Sequence, residues 1–364
     1  MTRLFRCITK WRLNRHCSRR FTFYTILFSV IVLLLLYVRR KKLNVYHYSM
    51  FEVSDVNRLH VLLVSYVESS FIVEMLHHLP NTYYQFEPEQ FSNQNKEELH
   101  EAIYKIFKCQ QSSIKGFLQW MKENPAYLKL EQNVKYFKHL KSCLESGTCY
   151  NGAFLDAFCK THEIIIIKTV GLKLTEAAEL FRKYPDLNLK IIFITRNPIA
   201  VLNSQNNHLK KKLCLFNANC TEPDAFCSMF HEDLRLSCTL SHEKPNNFMI
   251  VRYEDFFANS WVSSSRVTNF LGFETLPEEI EILLKSQQQI SSSHNTIVPS
   301  WPEMSHENII GIQKKCYSAF KSLGYQYNSY KTFEHYHSNN QLNLHKSFTF
   351  FCVNEFLRSY EQFL

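Results

Sequence analysis

Two segments of this 364-residue chain carry the residue types needed to hold anions. In the first, Ser69 and Ser70 stand before apolar residues at helical spacing, Phe71, Ile72, Met75, Leu76 and Leu79, and Pro80 stops the pattern. Serine caps a helix start, and the free backbone N–H groups there favour an anion. An ordinary serine cap has the same signature. In the second, Arg196 ends an apolar run, Asn197-Pro198 opens a helix, and Ser204 follows eight residues after the arginine. A guanidinium fork with a hydroxyl suits a terminal phosphate. A strand-end salt bridge would use the same arginine.

Two further side chains could act on a bound hydroxyl. The Glu87 carboxylate can take its proton, and the Lys168 ammonium can oppose negative charge developing on an oxygen. Before a proline turn, Glu87 also reads as a surface carboxylate. His77 and His78 are alternative bases, placed by the helical spacing on a surface face.

These residues need elements to hold them. Leu59 to Val64, Glu163 to Lys168, Lys190 to Thr195 and Asn247 to Val251 are short apolar runs of the kind that form buried parallel strands, and each leads into a helical pattern. Strands alternating with helices predict an α/β domain over residues 55–330, a mostly parallel sheet with helices on both faces and ligands at the C-terminal ends of the strands. The segment from Phe91 to Cys159 is polar and helical in pattern. It reads as an insertion over the site or as a solvated helical face. The chain has 7 glycines, none between Leu59 and Leu79, which excludes a Walker A loop or a dinucleotide fingerprint after the first strand.

Together the segments resemble the membrane-bound Golgi carbohydrate sulfotransferases that act on galactose, N-acetylgalactosamine or N-acetylglucosamine. Val64-Ser65-Tyr66-Val67-Glu68-Ser69-Ser70-Phe71, continuing into Tyr84-Gln85-Phe86-Glu87-Pro88, looks like the family's 5′-phosphosulfate segment and its Phe-Glu-Pro. Phe193 to Ser204 is similar to its 3′-phosphate segment, Ile250 to Asp255 to a third motif, and Trp301 through Cys316 to Tyr325 to its C-terminal end.

The resemblance implies a P-loop-like sulfotransferase domain using 3′-phosphoadenosine 5′-phosphosulfate as donor, a glycan as acceptor and no metal. Ser69, Ser70, Phe71, Arg196 and Ser204 would bind the donor, with Glu87 as base and Lys168 at the bridging oxygen. The loop departs from the family's Arg-x-Gly-Ser-Ser, since Tyr66 and Glu68 replace its cation and glycine. At about 4 Å a carboxylate and the donor would repel by roughly 4 kcal/mol at an effective dielectric of about 20. Gly171 stands where the family tends to have arginine, with Lys168 or Lys173 as substitutes. A catalytically silent domain of the same build, binding a glycan or a partner protein, is the alternative reading.

Charge places the domain. The first 42 residues hold eleven of the 42 basic side chains and no acidic one, so the remaining 322 residues carry 31 basic against 33 acidic groups and the formal charge falls from +9 to −2. That balance excludes a nucleic-acid footprint on the domain. Between the basic clusters, Phe21 to Val38 has no charge and as a helix is about 27 Å long, enough to span a bilayer.

The expected arrangement is therefore a type II, signal-anchored Golgi membrane protein. Residues 1–20 form a cytoplasmic tail, 21–38 a transmembrane helix and 39–54 a stem. The lumenal domain follows, and residues 331–364 form a tail whose role the sequence does not give. Ten cysteines beyond the span suit disulfides in the secretory pathway, without the CxxC spacing of zinc knuckles. The sequon Asn219-Cys220-Thr221 suits a lumenal glycoprotein. A homo-oligomer is compatible with these features. Protease treatment of intact microsomes should leave a C-terminal tag protected until detergent is added; digestion without detergent would reverse the topology.

Overall fold

The apolar runs assemble into one parallel sheet in a computed structural model, which describes residues 29–30, 32, 54–55, 58–66, 70–91, 95–124, 148–170, 172–208, 222–293, 305–325 and 352. The strands are β1 (Leu59–Ser65), β2 (Thr82–Phe86), β3 (Ile164–Val170), β4 (Leu189–Thr195) and β5 (Phe248–Arg252), in the order β2-β3-β1-β4-β5. All four pairings are parallel, and the register sets Leu63 beside Lys168 and Ser65 beside Ile194. Every residue of β3 is buried, as the run of four isoleucines requires of a strand covered on both faces. The strand β2 was not among the expected ones. It lies at the sheet edge, and its sequence Thr-Tyr-Tyr-Gln-Phe has no continuous aliphatic run.

Helices fill the connections: α1 (Ser70–His77), α2 (Lys96–Phe107), α3 (Phe117–Glu123), α4 (Gly152–Lys160), α5 (Leu174–Lys183), α6 (Pro198–His208), α7 (Pro223–Glu243), α8 (Tyr253–Ala258), α9 (Ser260–Leu271), α10 (Glu278–Ser293), α11 (His306–Lys315) and α12 (Tyr317–Ser322). Asparagine side chains cap several starts. Asn95, Asn151 and Asn259 accept the backbone N–H three residues on, from Glu98, Phe154 and Val262. The connection from β1 to β2 moves to one side of the sheet, and that from β3 to β4 crosses back over β1. With right-handed crossovers, connections running in opposite directions cover opposite faces.

The segment from Phe91 to Cys159 is more than a solvated face. Its helix α2 buries Leu99, Ile103, Ile106 and Phe107 in the core, and Cys109 is disulfide-bonded to Cys159. Further disulfides join Cys227 to Cys316 and Cys238 to Cys352. Cys352 is the one described residue of the tail 331–364, and its bond ties the tail to α7.

The chain divides into two units, residues 1–52 and residues 53–364. Within the first, Ser29, Val30 and Val32 are helical. The rest of the expected span 21–38 and the tail 1–20 lie outside the described residues, as does the expected stem 39–54 apart from Ser54. No helix among the described residues is long and apolar enough to cross a membrane.

At the end of β1 the chain turns a side chain inward. Tyr66 is 3 % exposed and meets Phe193, Phe226 and Phe230 edge-on, with ring centroids 5.8 to 6.1 Å away. Its hydroxyl donates to Asp233 Oδ2 on α7, which also accepts the Leu174 N–H at the start of α5 at 3.0 Å. Asp233 thus ties the β1 end, α5 and α7 together. Burial pushes its carboxyl from 3.8 up to about 6.

The pH consequence follows from the sign of that shift. A carboxyl whose folded value is raised holds its proton in the native chain where the unfolded chain has lost it. Stability therefore falls as pH rises from about 4 to about 6, by on the order of 3 kcal/mol. Asp233→Asn keeps a hydrogen-bonding group and removes the titration, so its melting temperature should decline less over that window than that of the wild type. An unchanged slope would remove Asp233 as its source.

Candidate functional site at the strand ends

In the order β2-β3-β1-β4-β5, the connections from β1 and β4 depart in opposite directions, which opens a crevice at the C-terminal ends of these neighbouring strands. The helix α1 begins at Ser70, directly after the β1 loop, so its N-terminal N–H groups belong to this end of the sheet. Val67, Glu68 and Ser69 lie outside the described residues, as do the side chains of Ser70 and Phe71. Of the loop expected at the phosphosulfate, the structure describes Tyr66, which occupies the core instead of offering a group to an anion.

On the β3 side of the crevice three ionisable residues meet. Phe86 is in register with Lys168, and the Glu87 N–H donates to the Lys168 carbonyl at 2.8 Å, extending the ladder past the end of β2. Glu87 adopts φ 41°, the left-handed region that costs a residue with a side chain of order 1 kcal/mol or more and persists where neighbours enforce it. The ladder bond is such a constraint. Lys168 Nζ lies 4.0 Å from Glu87 Oε1 and 5.0 Å from the centre of the Phe86 ring. Both side chains are buried, so the surface alternatives for Glu87 do not apply. A buried carboxylate beside a buried ammonium can accept a hydroxyl proton and oppose charge on a neighbouring oxygen.

Glu89 is the third member and was missed in the sequence. Its Oε1 accepts the Val170 N–H at 2.5 Å. Burial, reinforced by the negative charge of Glu87, holds its carboxyl well above the usual carboxylate range. Glu-Pro-Glu was the available signal, because a proline opening a tight turn after β2 brings the second glutamate over the neighbouring strand β3.

The β4 side is built on a two-residue connection. The Arg196 guanidinium lies over the Tyr253 ring, 4.7 Å from its centre. Asn197 Oδ1 accepts the Ile199 N–H at 2.9 Å, the expected cap, while its own N–H donates to Glu254 Oε1 at 3.0 Å. Glu254 Oε2 accepts the Tyr325 hydroxyl at 2.7 Å. Burial raises the Glu254 carboxyl above its ordinary value and raises the Tyr253 phenol, an effect that Arg196 opposes. Arg252 donates through Nε and Nη2 to Asp255 Oδ1, at 2.9 and 2.5 Å, and through Nη1 to the Leu323 carbonyl at 2.8 Å. Arg252 to Asp255, recognisable as a motif without a role, therefore joins the Arg196 loop to residues 323–325. Ser204 lies on α6, with its side chain outside the described residues.

The structure thus brings Glu87 and Lys168 together, and Arg196 with Tyr253. Lys168 is on β3 and Arg196 follows β4, with β1 between them, so the two groups stand roughly 10 Å apart in strand spacing, on either side of the β1 end. Among the described residues, no cluster of three or more His, Cys, Asp or Glu is placed to hold a metal.

Residues 171–320, which include Arg196, Tyr253 and Glu254, match the family model described as a sulfotransferase domain. Carbohydrate sulfotransferase 1 of Danio rerio is 21% identical over 207 residues, 50% of this chain and 49% of that protein. The protein of the same name from Rattus norvegicus is 24% identical over 146 residues, 35% of this chain and 36% of its own length. The matched stretches thus span about half or less of these curated relatives. Among solved structures, mouse sulfotransferase SULT7A1 complexed with PAP is 15% identical, with a TM-score of 0.33, covering 71% of this chain and 73% of that one. The sulfotransferase domain from the curacin biosynthetic pathway is 15% identical, with a TM-score of 0.39, covering 74% and 99%.

Proposed function

Because this chain is a relative of the carbohydrate sulfotransferases, we propose that it moves a sulfuryl group from 3′-phosphoadenosine 5′-phosphosulfate to a glycan hydroxyl. The observation that carries this reading is the disposition of groups around the β1 end. A helix N-terminus stands in the middle, with a buried Lys168–Glu87 pair on one side and an arginine stacked on tyrosine on the other. An elongated ligand with a phosphate at one end and a phosphosulfate at the other fits that order of charges.

The donor supplies an activated sulfuryl group on a phosphate leaving group, and the chain's residues do the rest. Arg196, with Ser204, holds the terminal 3′-phosphate. The start of α1, through Ser69, Ser70 and Phe71, takes the 5′ end. Glu87 accepts the proton of the sugar hydroxyl as its oxygen bonds to sulfur. Lys168 opposes the negative charge left on the bridging oxygen as the sulfur–oxygen bond to the 5′-phosphate breaks.

The compartment is part of the proposal. A Golgi lumenal domain behind an uncleaved anchor at residues 21–38 is supported by the N-terminal charge pattern and by disulfides at Cys109–Cys159, Cys227–Cys316 and Cys238–Cys352, which persist in oxidising compartments. One observation favours the second reading, a silent domain that binds a glycan or a partner protein. Tyr66, at the family's cation position, is committed to the core.

Calorimetry of the solubilised full chain with adenosine 3′,5′-bisphosphate separates the two. The wild type should bind, and Arg196→Ala should weaken binding by about 1.5 to 3 kcal/mol, the order of a charge-assisted hydrogen bond. Glu87→Gln should lower transfer to galactose or N-acetylhexosamine acceptors by about 10² to 10⁴ while leaving bisphosphate binding in place. A folded wild type that does not bind the bisphosphate would sink the donor site; one that binds without transferring would leave the silent domain.

A further inference from the structure

The connection carrying Arg196 is two residues long, and the backbone N–H groups in such a connection have no ladder partner and need another acceptor. At Asn197 the N–H goes to Glu254 Oε1 at 3.0 Å. The other oxygen of the same carboxylate takes the Tyr325 hydroxyl at 2.7 Å. Tyr325 lies 5.6 Å below the Arg252 guanidinium, and Arg252 holds the Leu323 carbonyl. A chain of direct bonds therefore runs from the C-terminal end of the domain, through one buried carboxylate, to the peptide next to Arg196.

Tyr253, the neighbour of Glu254, supplies the surface under the guanidinium. Stacking occupies the flat face of an arginine and leaves its N–H donors, which lie in the plane, pointing outward. Tyr253 thus orients the fork, while Glu254 fixes the backbone from which the fork projects.

We propose that Glu254, held by Tyr325, is the positioning residue that aims Arg196 at the 3′-phosphate of the donor. This deepens the donor-site reading and rests on it. Glu254 touches no ligand atom itself; it acts through the Asn197 peptide. Its contribution is therefore specific to ligands that carry a 3′-phosphate, whereas a merely structural residue would weaken all nucleotides alike.

The test compares adenosine 3′,5′-bisphosphate with adenosine 5′-monophosphate, titrated calorimetrically into the solubilised full chain. The affinity ratio of the two isolates the 3′-phosphate. Glu254→Leu, which removes the acceptor of the Asn197 N–H, should reduce the ratio about tenfold, with monophosphate affinity within about twofold of the wild type. Glu254→Gln keeps an acceptor oxygen and should restore the ratio to within about twofold of wild type. Tyr325→Phe keeps the ring beside Arg252 and Phe320, so it tests the same chain without emptying the core, and should reduce the ratio about threefold.

A wild-type ratio in both Glu254→Leu and Tyr325→Phe overturns the proposal, as does an equal loss for both nucleotides. If Glu254→Leu does not fold, Tyr325→Phe decides alone. A wild type that binds both nucleotides equally well is a different failure. It removes the 3′-phosphate site itself, and this inference falls with it.

Discussion

A parallel sheet leaves its strands' last N–H groups without ladder partners at the end where the loops depart, and a buried N–H without a partner costs about as much as a lost hydrogen bond. In this protein one buried carboxylate takes such a strand-end N–H, and two more take N–H groups in the connection or helix start that follows a strand. Glu89 takes the N–H of Val170 at the end of β3, Asp233 that of Leu174 where α5 starts, and Glu254 that of Asn197 after β4. Each bond joins elements distant in sequence, by 81, 59 and 57 residues. The loops around the crevice are therefore held by side chains whose own placement depends on the finished core.

Much of the frame could be read from the chain because buried parallel strands are written as short aliphatic runs. Leu59 to Val64, Glu163 to Lys168, Lys190 to Thr195 and Asn247 to Val251 each fall within two residues of a strand's bounds. The strand β2 was illegible for a physical reason. Tyr83, Tyr84 and Phe86 bury large rings while Gln85 is buried among polar partners, so no single period marks the segment. Tyr66 shows the reverse problem. In the sequence it stands only as a replacement for the family's cation in the loop, but a ring that meets three phenylalanines and has a carboxylate for its hydroxyl belongs inside.

The candidate site was legible where function and backbone turn share a residue, and illegible where support is remote. Arg196 ahead of Asn197-Pro198, and Glu87 ahead of Pro88, announce themselves because strand ends, caps and proline turns leave local marks. Their supporters leave none. The reach from Glu254 to Tyr325 spans 71 residues, and whether the Arg252 guanidinium turns to Asp255, to Leu323 or to a ligand is decided by packing that no local pattern records.

Using carboxylates to hold the loops of the proposed anion site carries an electrostatic penalty, since each ionised group opposes a phosphate or sulfate nearby. At an effective dielectric of about 20, even 8 Å of separation leaves roughly 2 kcal/mol of repulsion per pair of unit charges. Burial relieves this. It pushes all three groups toward the neutral form, Asp233 up to about 6 and Glu89 well above the usual range, while a protonated carboxyl keeps an oxygen that accepts a backbone N–H. The same desolvation that would make an ionised carboxylate expensive in the core thus lets these residues serve as acceptors with less charge turned toward the crevice. Lys168 is compensated by the Glu87 carboxylate beside it, so the net positive charge at the β1 end rests on Arg196, and that sign is the one an anionic ligand requires.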